Sequence, residues 1–241
     1  MLVPGIRALT LLRYLSPLLF ALAFPAVADI DLSILRSGAK APSASKSAGA
    51  AAGQPAAASE ESPDDWYQRA LALDRPGANG NDLASASYWY QKAAEKGHTD
   101  AQTNLASMYA EGRGVNMNGV EAARWYRKAA EAGNVQAQYN LAIMYHLGQG
   151  ISRDYDDAIH WYESAARQGD ANAMNNMAFM YGMGEGVVQS NVEAYVWFAL
   201  AASRGNADAA ENRDLAAAEM TREERRKARK RYTQLEEQLG L

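Results

Sequence analysis

Hydrophobic residues from about residue 64 onward follow the spacing of short amphipathic helices. In the segment 137–145 they recur at i, i+4, i+7 and i+8, and in the segment 158–166 at i, i+3, i+4, i+7 and i+8. Both spacings fit the 3.6-residue period of a one-faced helix. Between the two segments lies a loop with two glycines, Gly148 and Gly150. The pattern therefore predicts pairs of short helices joined by glycine loops.

This helix pair recurs along the chain at an interval of 36 residues. The interval holds for four tryptophans, for a glycine after each second helix and for an alanine in each first helix: Trp89, Trp125, Trp161, Trp197; Gly97, Gly133, Gly169, Gly205; Ala101, Ala137, Ala173, Ala209. Self-similarity at this period is typical of solenoid proteins. We therefore predict an all-α solenoid over residues 64–241, with an N-terminal cap helix, four repeat units and two C-terminal capping helices near 208–220 and 222–239.

Helix-capping residues recur with the same interval. Seven residues before each tryptophan stands a residue whose side-chain oxygen can accept an unpaired backbone N–H: Asp82, Asn118, Asp154 and Ser190. The second helices are therefore expected to begin one residue later, near Leu83, Gly119, Tyr155 and Asn191. Two pairs at the spacing of a capping box are expected to cap in both directions: Ser190 with Glu193, and Thr221 with Glu224.

The repeated string resembles a known family. It reads Tyr-x-x-Gly-x-Gly-x-x-x-(Asp/Asn)-x-x-x-Ala-x-x-Trp-Tyr-x-x-Ala-Ala-x-x-Gly and resembles the Sel-one-like repeat (SLR), a relative of the tetratricopeptide repeat. The resemblance covers about residues 64–238, although the first loop, 71–82, lacks the glycine pair in register. It implies a right-handed superhelix of helix pairs that serves as a protein-binding adaptor.

The N-terminal part has a different composition. Arg7 and Arg13 precede an apolar run, and Ala26-Val27-Ala28 forms a small-x-small cleavage site, so we interpret residues 1–28 as an export signal. An uncleaved membrane anchor is the competing interpretation. Residues 29–63, rich in Ala, Ser, Gly and Pro, are predicted to be a disordered linker. The mature protein is expected to be periplasmic or secreted.

Little in the sequence indicates catalysis. The net charge of −4 argues against a general nucleic-acid binder. The chain has no cysteine, and its three histidines, His98, His146 and His160, lack a metal-ligand spacing. Ser43 and Lys46 form a Ser-x-x-Lys string, but it falls in the predicted linker. We therefore predict no catalytic residues, metal site or cofactor.

The first helix of each unit has a second face, away from its core stripe, that changes from polar to apolar along the array. If the array curves as tetratricopeptide-like solenoids do, this face is concave. Exposed apolar residues gathered there indicate a partner site. The residues expected to contact a protein or peptide partner are Asn104, Tyr139, Asn140, Ile143, His146, Leu147, Asn175, Asn176, Phe179 and Met183.

Three of these residues form a row of asparagines 36 residues apart: Asn104, Asn140 and Asn176. Their amide groups could bond to the backbone of an extended peptide without reading its sequence. Alternatively, they bond neighbouring helices and hold the superhelix together. The sequence leaves both roles open.

The last helix carries six basic residues within the segment 225–231. It is either a solvated capping helix, since terminal repeats need a polar outer face, or a site of peripheral membrane contact.

The sequence as a whole favours an exported, non-enzymatic scaffold with a protein or peptide partner. One alternative is a membrane-attached envelope-assembly scaffold. The other is a cell-wall-directed enzyme or β-lactam-binding protein, since some cysteine-rich relatives are linked to β-lactam binding.

Overall fold

The computed structural model describes residues 61–241, and within this range it contains ten α-helices and no strand. In chain order the helices are α1 Pro63–Leu73, α2 Gly80–Glu95, α3 Thr99–Glu111, α4 Gly119–Glu131, α5 Val135–Leu147, α6 Tyr155–Arg167, α7 Ala171–Met183, α8 Asn191–Ser203, α9 Ala207–Glu219 and α10 Arg222–Leu239. The predicted export signal and most of the predicted linker lie outside the described residues. The cap helix begins at Pro63, because Ser62 and Asp65 form a capping box.

Each helix packs against the helices before and after it, except that α10 lies on α8. We call α3, α5, α7 and α9 the A helices, and α2, α4, α6 and α8 the B helices. Small side chains allow the helices to approach closely, and four alanines 36 residues apart are fully buried: Ala101, Ala137, Ala173 and Ala209. The predicted all-α solenoid is therefore confirmed.

The A helices begin and end with equivalent residues in each unit. His98, Asn134, Asp170 and Asn206 are the N-caps, and in each the side chain accepts the backbone N–H three residues later. The helices α3, α5 and α7 end at Gly112, Gly148 and Gly184, each with a left-handed backbone. A 36-residue repeat in sequence thus produces a 36-residue repeat in local structure.

Three of the four predicted B-helix starts are confirmed, and the first is wrong. The helices α4, α6 and α8 begin after Asn118, Asp154 and Ser190. In contrast, α2 begins at Gly80, three residues before the predicted start. There the Asn79 side chain accepts the backbone N–H groups of Asn81 and Asp82 at 2.9 and 3.0 Å, so it caps the helix before Asp82 can do so.

The two predicted capping boxes differ. Thr221 and Glu224 form a complete one at the start of α10. Ser190 caps Glu193 N–H at 3.2 Å, but the Glu193 carboxylate accepts bonds at 2.8 and 3.1 Å from Nε of Arg231 in α10. The predicted reciprocal bond to Ser190 is therefore replaced by a contact that holds the terminal helix.

Two of the four tryptophans at the 36-residue interval are core residues. Trp125 and Trp197 are buried, whereas Trp89 and Trp161 are only half-buried. Trp89 packs only partly against the core, and the Lys92 ammonium lies 4.9 Å from the centre of its ring in a cation–π contact. None of the helices that the structure describes is both long and apolar enough to cross a membrane.

Candidate interaction surface

The A helices α3, α5 and α7 carry the predicted partner-binding residues at equivalent positions. Each helix contributes one residue to an asparagine row, one to a middle row and one to a row in its last turn: Asn104, Asn140, Asn176; Ser107, Ile143, Phe179; Glu111, Leu147, Met183. Of these side chains only Glu111 and Met183 are well exposed, and the others are half-buried. We call these nine residues the A-helix face.

Two residues predicted to contact a partner are buried instead. Tyr139 is 9 % exposed, and its ring centre lies 6.1 Å from that of Tyr162. Asn175 is 5 % exposed. Both occupy a position one residue before the asparagine row, where the side chain points into the core rather than onto the face. These two side chains have too little accessible surface to bind a partner, and we remove them from the candidate site.

The asparagine row faces the hydroxyl groups of tyrosines in the preceding B helices. Nδ2 of Asn176 donates a hydrogen bond of 3.1 Å to the hydroxyl oxygen of Tyr162. Within its own helix, Oδ1 of Asn140 accepts a bond of 3.1 Å from Nε2 of Gln136. The amides are therefore partly engaged inside the solenoid, and a bound peptide would have to share or replace these bonds.

The tyrosines opposite the asparagine row are Tyr90, Tyr126 and Tyr162, again 36 residues apart. Burial raises the pKa of Tyr126 to about 12 and also raises the pKa of the other two, because an ionised phenol would lose its hydration. The hydrogen bond from Asn176 lowers the pKa of Tyr162, and the nearby amides of Asn104 and Asn140 act in the same direction on Tyr90 and Tyr126. The phenols are therefore neutral near pH 7 and act as hydrogen-bonding groups, not as bases.

His146 lies in a chain of polar contacts that joins two units. Its Nδ1 lies 3.3 Å from the Tyr162 hydroxyl oxygen, and its Nε2 lies 2.7 Å from Oε2 of Glu185. Glu185 belongs to the loop between α7 and α8. A partner contact through His146, which was predicted from the sequence, would have to displace one of these bonds.

Sequence analysis missed the residue between the two glycines of each loop. In successive units this residue is Arg113, Gln149 and Glu185. Nη1 of Arg113 bonds to Oδ1 of Asp74 at 2.6 Å, and Nε bonds to Oε2 of Glu111 at 2.6 Å. Two of the three loop residues thus contact an A helix: Arg113 through Glu111, and Glu185 through His146. The change of this residue from basic to neutral to acidic along the array could have indicated such contacts. The glycine spacing by itself indicates only the backbone conformation of the loop.

The apolar part of the face consists of Ile143, Leu147, Phe179 and Met183, which we call the apolar patch. Met183 is 42 % exposed, and Ile143 and Phe179 pack partly against the core. The Phe179 ring meets Phe198 edge to face, with ring centres 5.1 Å apart. Phe198 in α8 occupies the position that Tyr90, Tyr126 and Tyr162 hold in the other B helices, so α8 has no hydroxyl group there. The change toward apolar character therefore involves both helices.

The part of the chain that the structure describes contains no cluster of His, Cys, Asp and Glu suited to a metal ion. His98 caps α3 and stacks on Tyr67 with ring centres 4.3 Å apart. His160 is exposed beside Trp161. The Ser-x-x-Lys string of Ser43 and Lys46 lies outside the described residues.

Solved structures similar to this chain include proteins of the same repeat class. A Sel1 repeat protein from Oxalobacter formigenes is 33 % identical with a TM-score of 0.57, over 61 % of this chain and 60 % of that one. The protective antigen c5321 from uropathogenic Escherichia coli, which displays an SLR fold, is 26 % identical with a TM-score of 0.48, over 73 % of this chain and 45 % of that one. The match thus covers less than two thirds of either relative. Comparison with curated proteins gave no match.

The family model for the Sel1 repeat matches four consecutive segments, 80–98, 99–134, 135–170 and 171–206. The first segment contains only a B helix, and each of the others contains an A helix and the following B helix. Proteins built from Sel1 repeats are generally protein-interaction scaffolds. Because the matched segments cover more than half of the 241 residues, this chain belongs to the Sel1 repeat family.

Proposed function

We propose that this chain is an exported, non-enzymatic scaffold that binds a protein or peptide through the A-helix face, which we take to be the concave side of the solenoid. The observation that carries the proposal is the apolar patch on α5 and α7, in which Met183 is exposed and its three companions are half-buried. Accessible apolar side chains gathered on one face are typical of a binding surface.

The surroundings of the patch suit binding by a rigid surface. Phe179 is held by its edge-to-face contact with Phe198, and the helix ends are fixed by side-chain and glycine caps. Binding of a partner would therefore cost little conformational entropy, because the scaffold is already ordered. Polar residues adjoin the patch in the array: Glu185 bonds to His146 in α5, and Ser107 and Glu111 hold the equivalent positions in α3. Interfaces often have such a polar rim around an apolar centre.

Export is proposed from residues 1–28 alone. Intact-mass measurement of the protein recovered from the cell envelope would show whether the chain starts at Met1 or Asp29. A mass that includes Met1 would support the membrane-attached scaffold instead.

The test of the partner site is a crosslinking pulldown from the cell envelope with a triple variant, Ile143→Ser, Phe179→Ser and Met183→Ser. The matched control changes three apolar residues that are exposed outside the A-helix face: Met117, Val120 and Val188, each to Ser. We expect the first variant to lose a partner that the control retains. Equal partner sets in both variants would contradict the proposed site.

Phe179 and Ile143 also pack on the core, so the triple variant could lose stability. The single change Met183→Lys provides a second test, because this side chain is exposed and contributes little to packing. It should weaken crosslinking to the same partner while the helical circular dichroism stays unchanged. Unchanged crosslinking by a folded Met183→Lys protein would move the site away from the apolar patch.

Membrane contact through α10 is a secondary proposal. Arg225 bonds to the Ala217 carbonyl oxygen at 3.1 Å and Arg231 bonds to Glu193, so these two cations hold the helix in place. Arg226 and Lys230 are exposed and have no ion-pair partner within residues 61–241. Sedimentation with vesicles containing anionic lipid, at low and physiological salt, would reveal binding through these side chains.

A further inference from the structure

The helices α8, α9 and α10 enclose an open cleft of about 470 Å³ beyond the last repeat unit. Its lining includes the alanines Ala199 and Ala210 and the tyrosines Tyr195 and Tyr232. Arg213 and Arg229 also line it. Its volume lies within the range of small-molecule sites, about 300–1,000 Å³.

The cleft arises from a change in the repeat pattern at α9. Arg213 occupies the position that holds Leu105, Leu141 and Met177 in the earlier A helices, where all three side chains are fully buried. Ala210 likewise stands where Met174 stands one unit earlier. The final A helix has therefore lost core volume and gained a cation at the point where the cleft opens.

The charges in the cleft are only partly neutralised. Arg213 pairs with Asp214 at 2.7 Å, but that carboxylate side chain is 70 % exposed and does not line the cleft. Arg229 has no hydrogen-bond or ion-pair partner within residues 61–241, unlike Arg231 in the same helix, which binds Glu193. The lining of the cleft therefore combines alanines, two tyrosines and a positive charge.

We propose that this cleft binds a carboxylate attached to an apolar or aromatic body. A planar guanidinium group matches the geometry of a carboxylate and can donate two parallel hydrogen bonds to it. The alanines and the tyrosine rings of the lining would cover the apolar body of the ligand. The same chemistry is offered by a free small carboxylate and by the C-terminal residue of a peptide. This site is separate from the A-helix face, so its failure would leave the scaffold proposal unaffected.

The test is calorimetric titration of the full-length protein with N-acetylphenylalanine and with its amide, which lacks the carboxylate. A short peptide ending in phenylalanine, as free acid and as C-terminal amide, forms the second pair. We expect saturable binding of the acids and much weaker binding of the amides. Tighter binding of the peptide acid than of the free amino-acid derivative would identify a peptide C-terminus as the ligand, and the reverse order a small carboxylate.

Two variants and a control assign the binding to the cleft. Arg229→Gln and Arg213→Gln should each weaken binding by about tenfold or more, as expected for the loss of a hydrogen bond between charged groups. Lys227→Gln makes the same change of charge in the same helix outside the cleft and should bind as the original protein does. Arg213→Leu restores the residue of the earlier units and should fold but bind poorly.

Three results would overturn the proposal. The first is equal affinity for acid and amide, since the guanidinium groups would then play no part. The second is unchanged affinity in Arg229→Gln, and the third is the absence of saturable binding by either acid at millimolar concentration. Circular dichroism of each variant separates these outcomes from loss of folding.

Discussion

Asn175 and Asn176 are neighbours in the sequence with opposite roles in the fold. Oδ1 of Asn175 is buried and has no hydrogen-bond partner among the described residues, whereas Nδ2 of Asn176 bonds to Tyr162. A buried polar atom without a partner costs free energy, because it has given up water and gained nothing. The adjacent positions therefore differ in what a substitution will do.

We predict that Asn175→Thr stabilises the protein and Asn176→Thr destabilises it. Thr103 holds the equivalent position in α3, and its hydroxyl donates to the Thr99 carbonyl oxygen at 3.0 Å. Threonine at 175 can make the same bond in α7, which removes the unpaired oxygen and should raise the free energy of unfolding by about 1 kcal/mol. Urea denaturation of both variants measures the two effects, and a loss of stability in Asn175→Thr would contradict the argument.

Because the solenoid buries tyrosine side chains, we predict that the protein loses stability at high pH. The pKa of Tyr126 is about 12 in the folded chain against 10.0 as its ordinary value, because burial opposes ionisation. Ionisation between pH 10 and 12 therefore favours the unfolded chain. The contribution of Tyr126 to the free energy of unfolding is fully present below pH 10 and declines by about 2–3 kcal/mol over this window.

The prediction for Tyr126→Phe follows from this difference. The variant should lose less stability than the original protein between pH 8 and pH 11.5, as measured by urea denaturation at each pH. Tyr88→Phe is the matched control, because Tyr88 is 56 % exposed. Equal pH dependence in Tyr126→Phe and the original protein would show that Tyr126 does not contribute.

At the level of elements, the second glycine of each loop fixes how successive helix pairs stack. A Cβ on Gly114 would lie 2.3 Å from the Leu83 carbonyl carbon, on Gly150 2.3 Å from the Gly119 Cα, and on Gly186 2.5 Å from the Tyr155 Cβ. Each contact reaches the first turn of a B helix, at a residue 31 positions earlier. These glycines therefore serve both the left-handed turn and the close approach of neighbouring units.

We predict that Gly150→Ala destabilises the protein more than Gly169→Ala. Both glycines have positive φ, +72° and +89°, so both alanines bear the strain of a left-handed backbone, about 1–2 kcal/mol. Only Gly150 would also clash with the start of α4 at Gly119, since nothing lies within 4 Å of a Cβ at Gly169. Comparison of the two variants by thermal unfolding measures the effect of the clash. Equal losses of stability would show that the Gly150 loop and α4 can move apart at no cost.

The terminal helix α10 is held on α8 by the contact between Arg231 and Glu193. Their side chains are 28 % and 22 % exposed, so the pair is partly shielded from water. We predict a coupling energy of about 1 kcal/mol in a double-mutant cycle with Arg231→Gln and Glu193→Gln, measured by urea denaturation. Additive losses from the two single changes would mean that apolar packing alone holds α10.

At the scale of the whole molecule, stability is shared between neighbours, because each helix packs mainly on those next to it in sequence. Removal of one full unit, residues 135–170, joins Asn134 to Ala171 and keeps every capping position in register. We predict that this protein folds, whereas removal of only 135–152 leaves a B helix in the place of an A helix and does not. Helicity per residue, measured by circular dichroism, should be retained in the first protein and lost in the second.

The sequence predicted most of the fold because the determinants of each helix are local. Asn118, Asp154 and Ser190 cap helices through bonds that span only three residues, so their role follows from residue type and position. The prediction failed at Asp82, where the regular spacing was applied to a unit whose first loop differs. It also failed at Glu193, whose carboxylate bonds to a residue 38 positions away.

The candidate site was less predictable for the same reason. Helical spacing separates the two sides of an A helix, but it does not show that Tyr139 and Asn175 are buried by other helices. The bond from His146 to Glu185 spans 39 residues, and the cleft at Arg213 depends on where α10 lies. No periodic pattern within one unit contains these contacts.

By itself, the sequence determined the helices, their caps, the 36-residue unit and the all-α solenoid, since these depend on short-range hydrogen bonds and on the period of apolar residues. The tertiary structure alone decided which A-helix side chains are accessible, which polar groups bond across units and where a cleft opens. These properties depend on distances between residues far apart in the chain, and such distances are fixed only when the helices pack.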